Sequence, residues 1–153
     1  MRVIGAGPAN HSSPEQTLAR AEAHVTELQP EEGDQVWLVL DTDRWSEKQL
    51  ITVSRTCQDR NWGLTISNPC FELWLYLHYA DLPAGYDGSG QNLKRDLGEV
   101  CLPGGYSPAT ALPNLPRAIA RAKILDRNPD LRLPPAYVTQ VYRLAVAMEA
   151  FLE

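Results

Sequence analysis

The chain has 153 residues, 44% of them apolar and 22% charged, and a net charge of −5. This length and balance suit one folded domain with a real core, and they exclude disorder, a coiled coil and a surface broadly wrapped by nucleic acid. No apolar run nears the roughly 20 residues that span a bilayer, and the N-terminal stretch has no signal-peptide core, so a cytoplasmic protein is expected.

In chain order, Arg2–Gly5 is a short β-prone stub leading into a polar loop. Ser13-Pro14-Glu15-Gln16 then opens a helix with a cap, a proline at the first helical position and a glutamine placed for a capping box. Leu18, Ala21, Val25 and Leu28 supply its buried stripe, and Gln29-Pro30 ends it. Gln35–Leu40 is a short unbroken apolar run, which reads as a strand buried on both faces. Ser46-Glu47-Lys48-Gln49 opens a second helix that carries Leu50, Val53 and Cys57 on one face, and Gly63–Ser67 is the next strand. Strands alternating with helices in this order predict an α/β fold, a parallel sheet with covering helices.

Asn68 is placed as the cap and Pro69 as the first residue of a helix over 70–80, whose Phe71, Leu73, Trp74, Leu75 and Leu77 make it largely buried. Residues 81–113 are rich in glycine and proline and predict loops around one short helix near Leu93–Val100. A helix over Asn114–Asn128, with Leu115, Ile119, Ala122 and Leu125 inward, and a final amphipathic helix over Ala136–Leu152 complete the chain. The sequence thus divides into an α/β half, 1–80, and a loop and helical part, 81–153, of one domain. Cys57, Cys70 and Cys101 show no metal-ligand spacing and read as reduced and structural.

Two carboxylates, Asp41 and Asp43, stand at the carboxyl end of the first long strand, where open α/β sheets place their sites. In an extended segment, side chains two positions apart point the same way. At a separation of about 4 Å their repulsion is on the order of 4 kcal/mol, so a cation, a basic neighbour or a raised pKa must answer it. Mg²⁺ is the economical choice, because it takes a few carboxylates and keeps several waters. The competing reading is a solvated turn with Arg44 as local counterion. Glu72, in the first turn of a buried helix, either pairs with the helix dipole alone or reaches the same sheet edge as Asp41 and Asp43.

Charge is unevenly distributed: residues 1–48 hold nine acids against four bases, whereas the stretch from Arg117 to Arg143 is basic. That stretch is either a patch for an anionic partner or a solvated helix face. Arg44, Asn68, Arg117 and Arg121 are the candidates for contacting substrate. The loop Gly5-Ala6-Gly7-Pro8 lacks the glycine spacing and lysine of a phosphate-binding loop. His78, on a mostly apolar helix, reads as a hydrogen-bonded structural histidine rather than a general base, and Trp45, Trp62 and Tyr76 read as core.

Trp37–Asp43 (WLVLDTD), Ser67–His78 (SNPCFELWLYLH), Ala118–Ala122 (AIARA) and Thr139–Leu144 (TQVYRL) together resemble the RloB family. These are small bacterial proteins of Toprim-like fold, encoded in restriction and phage-defence loci, often beside an ABC-type ATPase. The resemblance implies that Asp41 and Asp43 form the family's Mg²⁺-binding DxD (Mn²⁺ being the alternative ion), with Glu72 as an acidic residue of the sheet edge. It implies an activity on nucleic-acid backbones and an ATPase partner. It also implies an earlier strand ending in glutamate and a helix, neither of which this chain contains, and no lysine stands near Tyr106-Ser107-Pro108 where relatives carry one. A late start codon, a natural truncation or a strand supplied by another chain would each account for that difference. Two functions follow: a Mg²⁺-dependent nuclease acting in defence through Asp41, Asp43 and Glu72, or a catalytically silent module that docks on an ATPase.

Overall fold

The computed structural model describes residues 3–5, 13–102 and 104–152. Helix α1 (Pro14–Leu28) opens on the expected capping box, Ser13 Oγ accepting from Gln16 N and Gln16 Oε1 from Ser13 N. It closes on Gln29, whose left-handed φ of 45° ends the helix one residue before Pro30. Strand β1 (Trp37–Asp41) follows, then α2 (Glu47–Asp59), again opened by a reciprocal box between Ser46 and Gln49 and burying Leu50, Val53 and Cys57. Strand β2 (Gly63–Asn68) lies parallel to β1, with Asp41 level with Ser67.

The chain then folds into helices: α3 (Glu72–Leu77), α4 (Gly90–Val100), the single turn α5 (Pro108–Ala111) leading into a 3₁₀ turn at Leu112–Asn114, α6 (Leu115–Leu125) and α7 (Val141–Leu152). Between α6 and α7 a two-residue strand, β3 (Val138–Thr139), pairs with β2. Among the described residues the sheet order is β1-β2-β3. Two apolar clusters flank it. Leu38, Leu40 and Ile66 pack with Leu50, Val53 and Cys57 of α2, and a larger cluster gathers α3, α4, α6 and α7 around Leu73, Leu77, Leu93 and Ala118.

The α/β class holds, with five departures from the sequence reading. The sheet is mixed rather than parallel, because β3 runs antiparallel to β2. Residues 3–5 form no strand, and Gly5 O instead accepts from Arg20 Nη1; residue 2 and residues 6–12, which carry the rest of the stub, the Gly-Pro loop and the start of the polar loop, lie outside the described residues. Strand β1 is buried on one face only. Leu38 and Leu40 point into the first cluster, whereas Val39 is 39% exposed, because β1 is the outer strand and the larger helical cluster stacks behind β2.

The other two departures concern where helices start. Asn68 does not cap α3: it is still paired with Val138 and its amide donates to Pro134 O, so the turn through Pro69–Phe71 delays the helix to Glu72. The last helix begins at Val141 rather than Ala136. Tyr137 has a left-handed φ of 62°, and Val138 and Thr139 are drawn into the sheet.

The strand-to-helix change at β3 rests on hydrogen bonds that end on β2. Ser67 Oγ and Thr139 Oγ1 share a buried bond of 2.8 Å. Gln140 then continues the ladder by itself, its backbone N donating to Ile66 O at 3.0 Å and its side-chain Oε1 accepting from Ile66 N at 3.3 Å. A buried backbone donor left without an acceptor costs about 1–3 kcal/mol. Gln140→Leu removes that acceptor, so a loss of about 1–3 kcal/mol in urea unfolding is expected; an unchanged midpoint contradicts this role.

Candidate metal-binding site

Strand β1 ends on Asp41, and the loop after it is fastened to the loop after β2. Thr42 N donates to Ser67 O (3.0 Å) and Pro69 O (3.2 Å), and Asp43 N donates to Pro69 O (3.1 Å). Glu72 stands three residues beyond Pro69, at the start of α3. Parallel pairing of β1 and β2 therefore sets both strand ends at one sheet edge, and these bonds hold the two loops face to face. Asp41, Asp43 and Glu72 are brought together by that arrangement.

The electrostatics carry the mark of this grouping. The Asp41 carboxyl is pushed up to about 7, first by burial, then by the negative charges of Asp43 and Glu72; a bond from the Phe71 backbone and the charge of Lys94 pull in the opposite direction. The neighbouring Cys70 thiol is pushed up to about 12 by burial and by Glu72, so it stays neutral. Glu72 pairs with Lys94 of α4, Nζ to Oε1 at 3.5 Å, an ion pair that reading the sequence missed. Lys94 sits in the loop-rich stretch where only a short helix is predicted. Its proximity to Glu72 depends on how α4 packs on α3.

The other candidates lie apart from this edge or beside it. Arg44 is exposed next to Asp43, and Asn68 is engaged with Pro134 O. Arg117 is exposed on α6. Arg121 is committed elsewhere: its Nε donates to Asp81 and its Nη1 to Leu77 O, both at 2.8 Å, tying α6 to the opposite end of α3 from Glu72. His78 is buried, hydrogen-bonded to Trp74 O at 2.9 Å and held toward its neutral form by burial. Tyr76 is buried and Trp45 and Trp62 half-buried, as packing groups are. The three cysteines are free and buried.

Among the described residues no three or more His, Cys, Asp or Glu side chains are arranged to enclose a metal ion. Such an arrangement does not suit zinc, which takes a closed shell of protein ligands. Mg²⁺ needs fewer protein ligands, because it binds through one or two carboxylates and retains its waters.

The family model described as RloB-like protein matches residues 3–148, nearly the whole chain. No curated protein and no solved structure gives a significant match. No helix among the described residues is long and apolar enough to cross a membrane.

Folding moves the Asp41 pKa from its ordinary 3.8 to about 7, so between those values the folded chain holds a proton that the unfolded chain has released. Stability without divalent ions should therefore fall as pH rises through this window. Asp41→Asn cannot ionise and is expected to flatten that fall and to melt higher than the parent at pH 8 in chelator. Identical melting profiles for the two proteins contradict it.

Proposed function

The chain belongs to the RloB-like family, and from that premise we propose that it is a Mg²⁺-dependent phosphodiesterase acting on nucleic acid in a bacterial phage-defence system. The observation that carries this reading is the half-buried, charge-crowded Asp41 beside Asp43 and Glu72 at the carboxyl edge of the sheet. A carboxylate strongly perturbed by burial together with neighbouring charges is a functional-site candidate. A bound Mg²⁺ (or Mn²⁺) polarises a phosphate and lowers the pKa of a water. Asp41 and Asp43 would hold the ion. Glu72, at the mouth of the α3 loop, would orient the attacking water and accept its proton. Arg44, exposed beside Asp43, is the nearest of the proposed arginines to an incoming strand; Arg117 and Arg121 remain candidates only for more distant contact.

A second reading has its own observation in support. Strand β1 exposes Val39 on its open face, and its outer edge has no paired strand among the described residues. An open edge is a place for another chain to add a strand. A catalytically silent module docked on an ABC-type ATPase would use the acidic edge only for charge and the strand edge for contact.

Titration calorimetry with Mg²⁺ separates the two. Ion binding must displace the Asp41 proton, so affinity is expected to rise about tenfold between pH 6 and pH 8. Asp41→Ala is expected to abolish both binding and cleavage of DNA or RNA oligonucleotides. If neither Mg²⁺ nor Mn²⁺ binds, and Asp41→Ala leaves defence intact, the nuclease reading is wrong.

A further inference from the structure

On the side away from β1, strand β2 presents a ladder that the chain fills only in part. Asn68 and Ser67 pair with β3, and Gln140 satisfies both backbone groups of Ile66. Backbone groups alternate sides along a strand, and those of Gly63 and Ser67 face β1, Gly63 N donating to Val36 O and Ser67 O accepting from Thr42 N. The N–H and C=O of Leu64 therefore point to the side of Gln140, one rung beyond Ile66. There the chain has already turned into α7, and Leu64 instead lines a cleft of about 240 Å³.

Two guanidinium groups stand in that cleft. Arg132 is steered by α2, its Nη1 donating to Ser54 Oγ at 3.1 Å and its Nη2 to Gln58 Oε1 at 3.0 Å. Both acceptors are neutral, and among the described residues Arg132 makes no ion pair, so its charge is positioned but unanswered. Arg143 is matched, its Nη2 donating to the buried Asp126 Oδ2 at 3.1 Å and to Pro129 O at 2.7 Å. These bonds leave N–H donors to spare on both groups. Asp130 also lines the cleft, but it is exposed and pairs with neither arginine.

The ligand is specified by what these groups complement. A free rung, one N–H beside one C=O, matches the backbone of an extended peptide. A guanidinium with one unanswered charge matches a planar monoanion, and it grips a carboxylate through two parallel bonds. A phosphate dianion carries one charge too many and leaves the carbonyl of Leu64 unused. The cleft is also smaller than the roughly 300–1,000 Å³ that hold whole small-molecule ligands, so it suits the end of a chain.

We propose that this cleft binds the carboxy-terminal residue of a partner polypeptide. The carboxylate accepts from Arg132 and from Leu64 N, with Arg143 beside it, and the amide N–H of the same residue donates to Leu64 O. Asp41, Asp43 and Glu72 take no part and no metal ion is needed, so the site stands apart from the phosphodiesterase reading.

The probe is acetyl-trialanine, as the free acid and as the carboxamide, titrated into the full chain and followed by NMR at the Leu64 amide and the Arg132 Nε–H. The acid is expected to shift both resonances to saturation, and the carboxamide to bind about tenfold more weakly. Arg132→Gln is expected to lose about tenfold in affinity for the acid with an unchanged melting temperature, and Arg132→Lys, which lacks the planar fork, not to restore it. Equal binding of acid and carboxamide, no shift with either, or a shift at Arg132 without one at Leu64 overturns the proposal. If inorganic phosphate shifts Arg132 and the acid does not, the cleft takes phosphate and the peptide reading is wrong.

Discussion

Mutual repulsion among Asp41, Asp43 and Glu72 is the constraint around which the sheet edge is built. Like charges brought together destabilise a fold unless something answers them, and here Asp41 and Glu72 are half-buried while Asp43 is exposed. Here the answers are partial. The Asp41 carboxyl is pushed up to about 7, a bond from the Phe71 backbone and the charge of Lys94 pull against that rise, and Lys94 leans on Glu72. None of these removes the repulsion, which a divalent cation would.

The scaffold holds this unfavourable grouping with bonds that do not involve the acids' side chains. Thr42 N and Asp43 N both donate to Pro69 O, so the loops after β1 and β2 cannot part without breaking backbone hydrogen bonds. Behind them β2 is pinned on its other side by Thr139 and Gln140, and its Ile66 is wholly buried against α2. The crowded edge is therefore carried on a sheet whose middle strand is held rigid from both sides. The helical cluster of α3, α4, α6 and α7 serves the same end. It fixes α3, whose first residue is Glu72, and it places Lys94 opposite.

Local chemistry was legible in the sequence wherever neighbouring residues settle it. The boxes Ser13 to Gln16 and Ser46 to Gln49 start their helices as expected, and Leu50, Val53 and Cys57 are buried as their spacing implies. The grouping of Asp41, Asp43 and Glu72 followed from strand polarity. Long-range pairing was not legible. Val138, Val141 and Ala145 recur at helical spacing, yet Val138 and Thr139 join β2, because partners some seventy residues away offer hydrogen bonds that a helix start does not. Asn68 misled for the same reason, since its strand pairing overrides its preference for a cap. Val39 looked buried because a short unbroken apolar run reads as a strand covered on both faces, whereas its place in the outer strand is a property of the whole sheet. Lys94 carried no signal at all, because what gives it meaning is the packing of α4 on α3.

The most direct measurement is the carboxyl carbon resonance of Asp41, followed by NMR against pH with and without Mg²⁺. In chelator an apparent pKa near 7 is expected, and addition of Mg²⁺ should return it to the ordinary carboxylate range. An ordinary value in chelator that Mg²⁺ leaves unmoved would contradict a cation site at this edge.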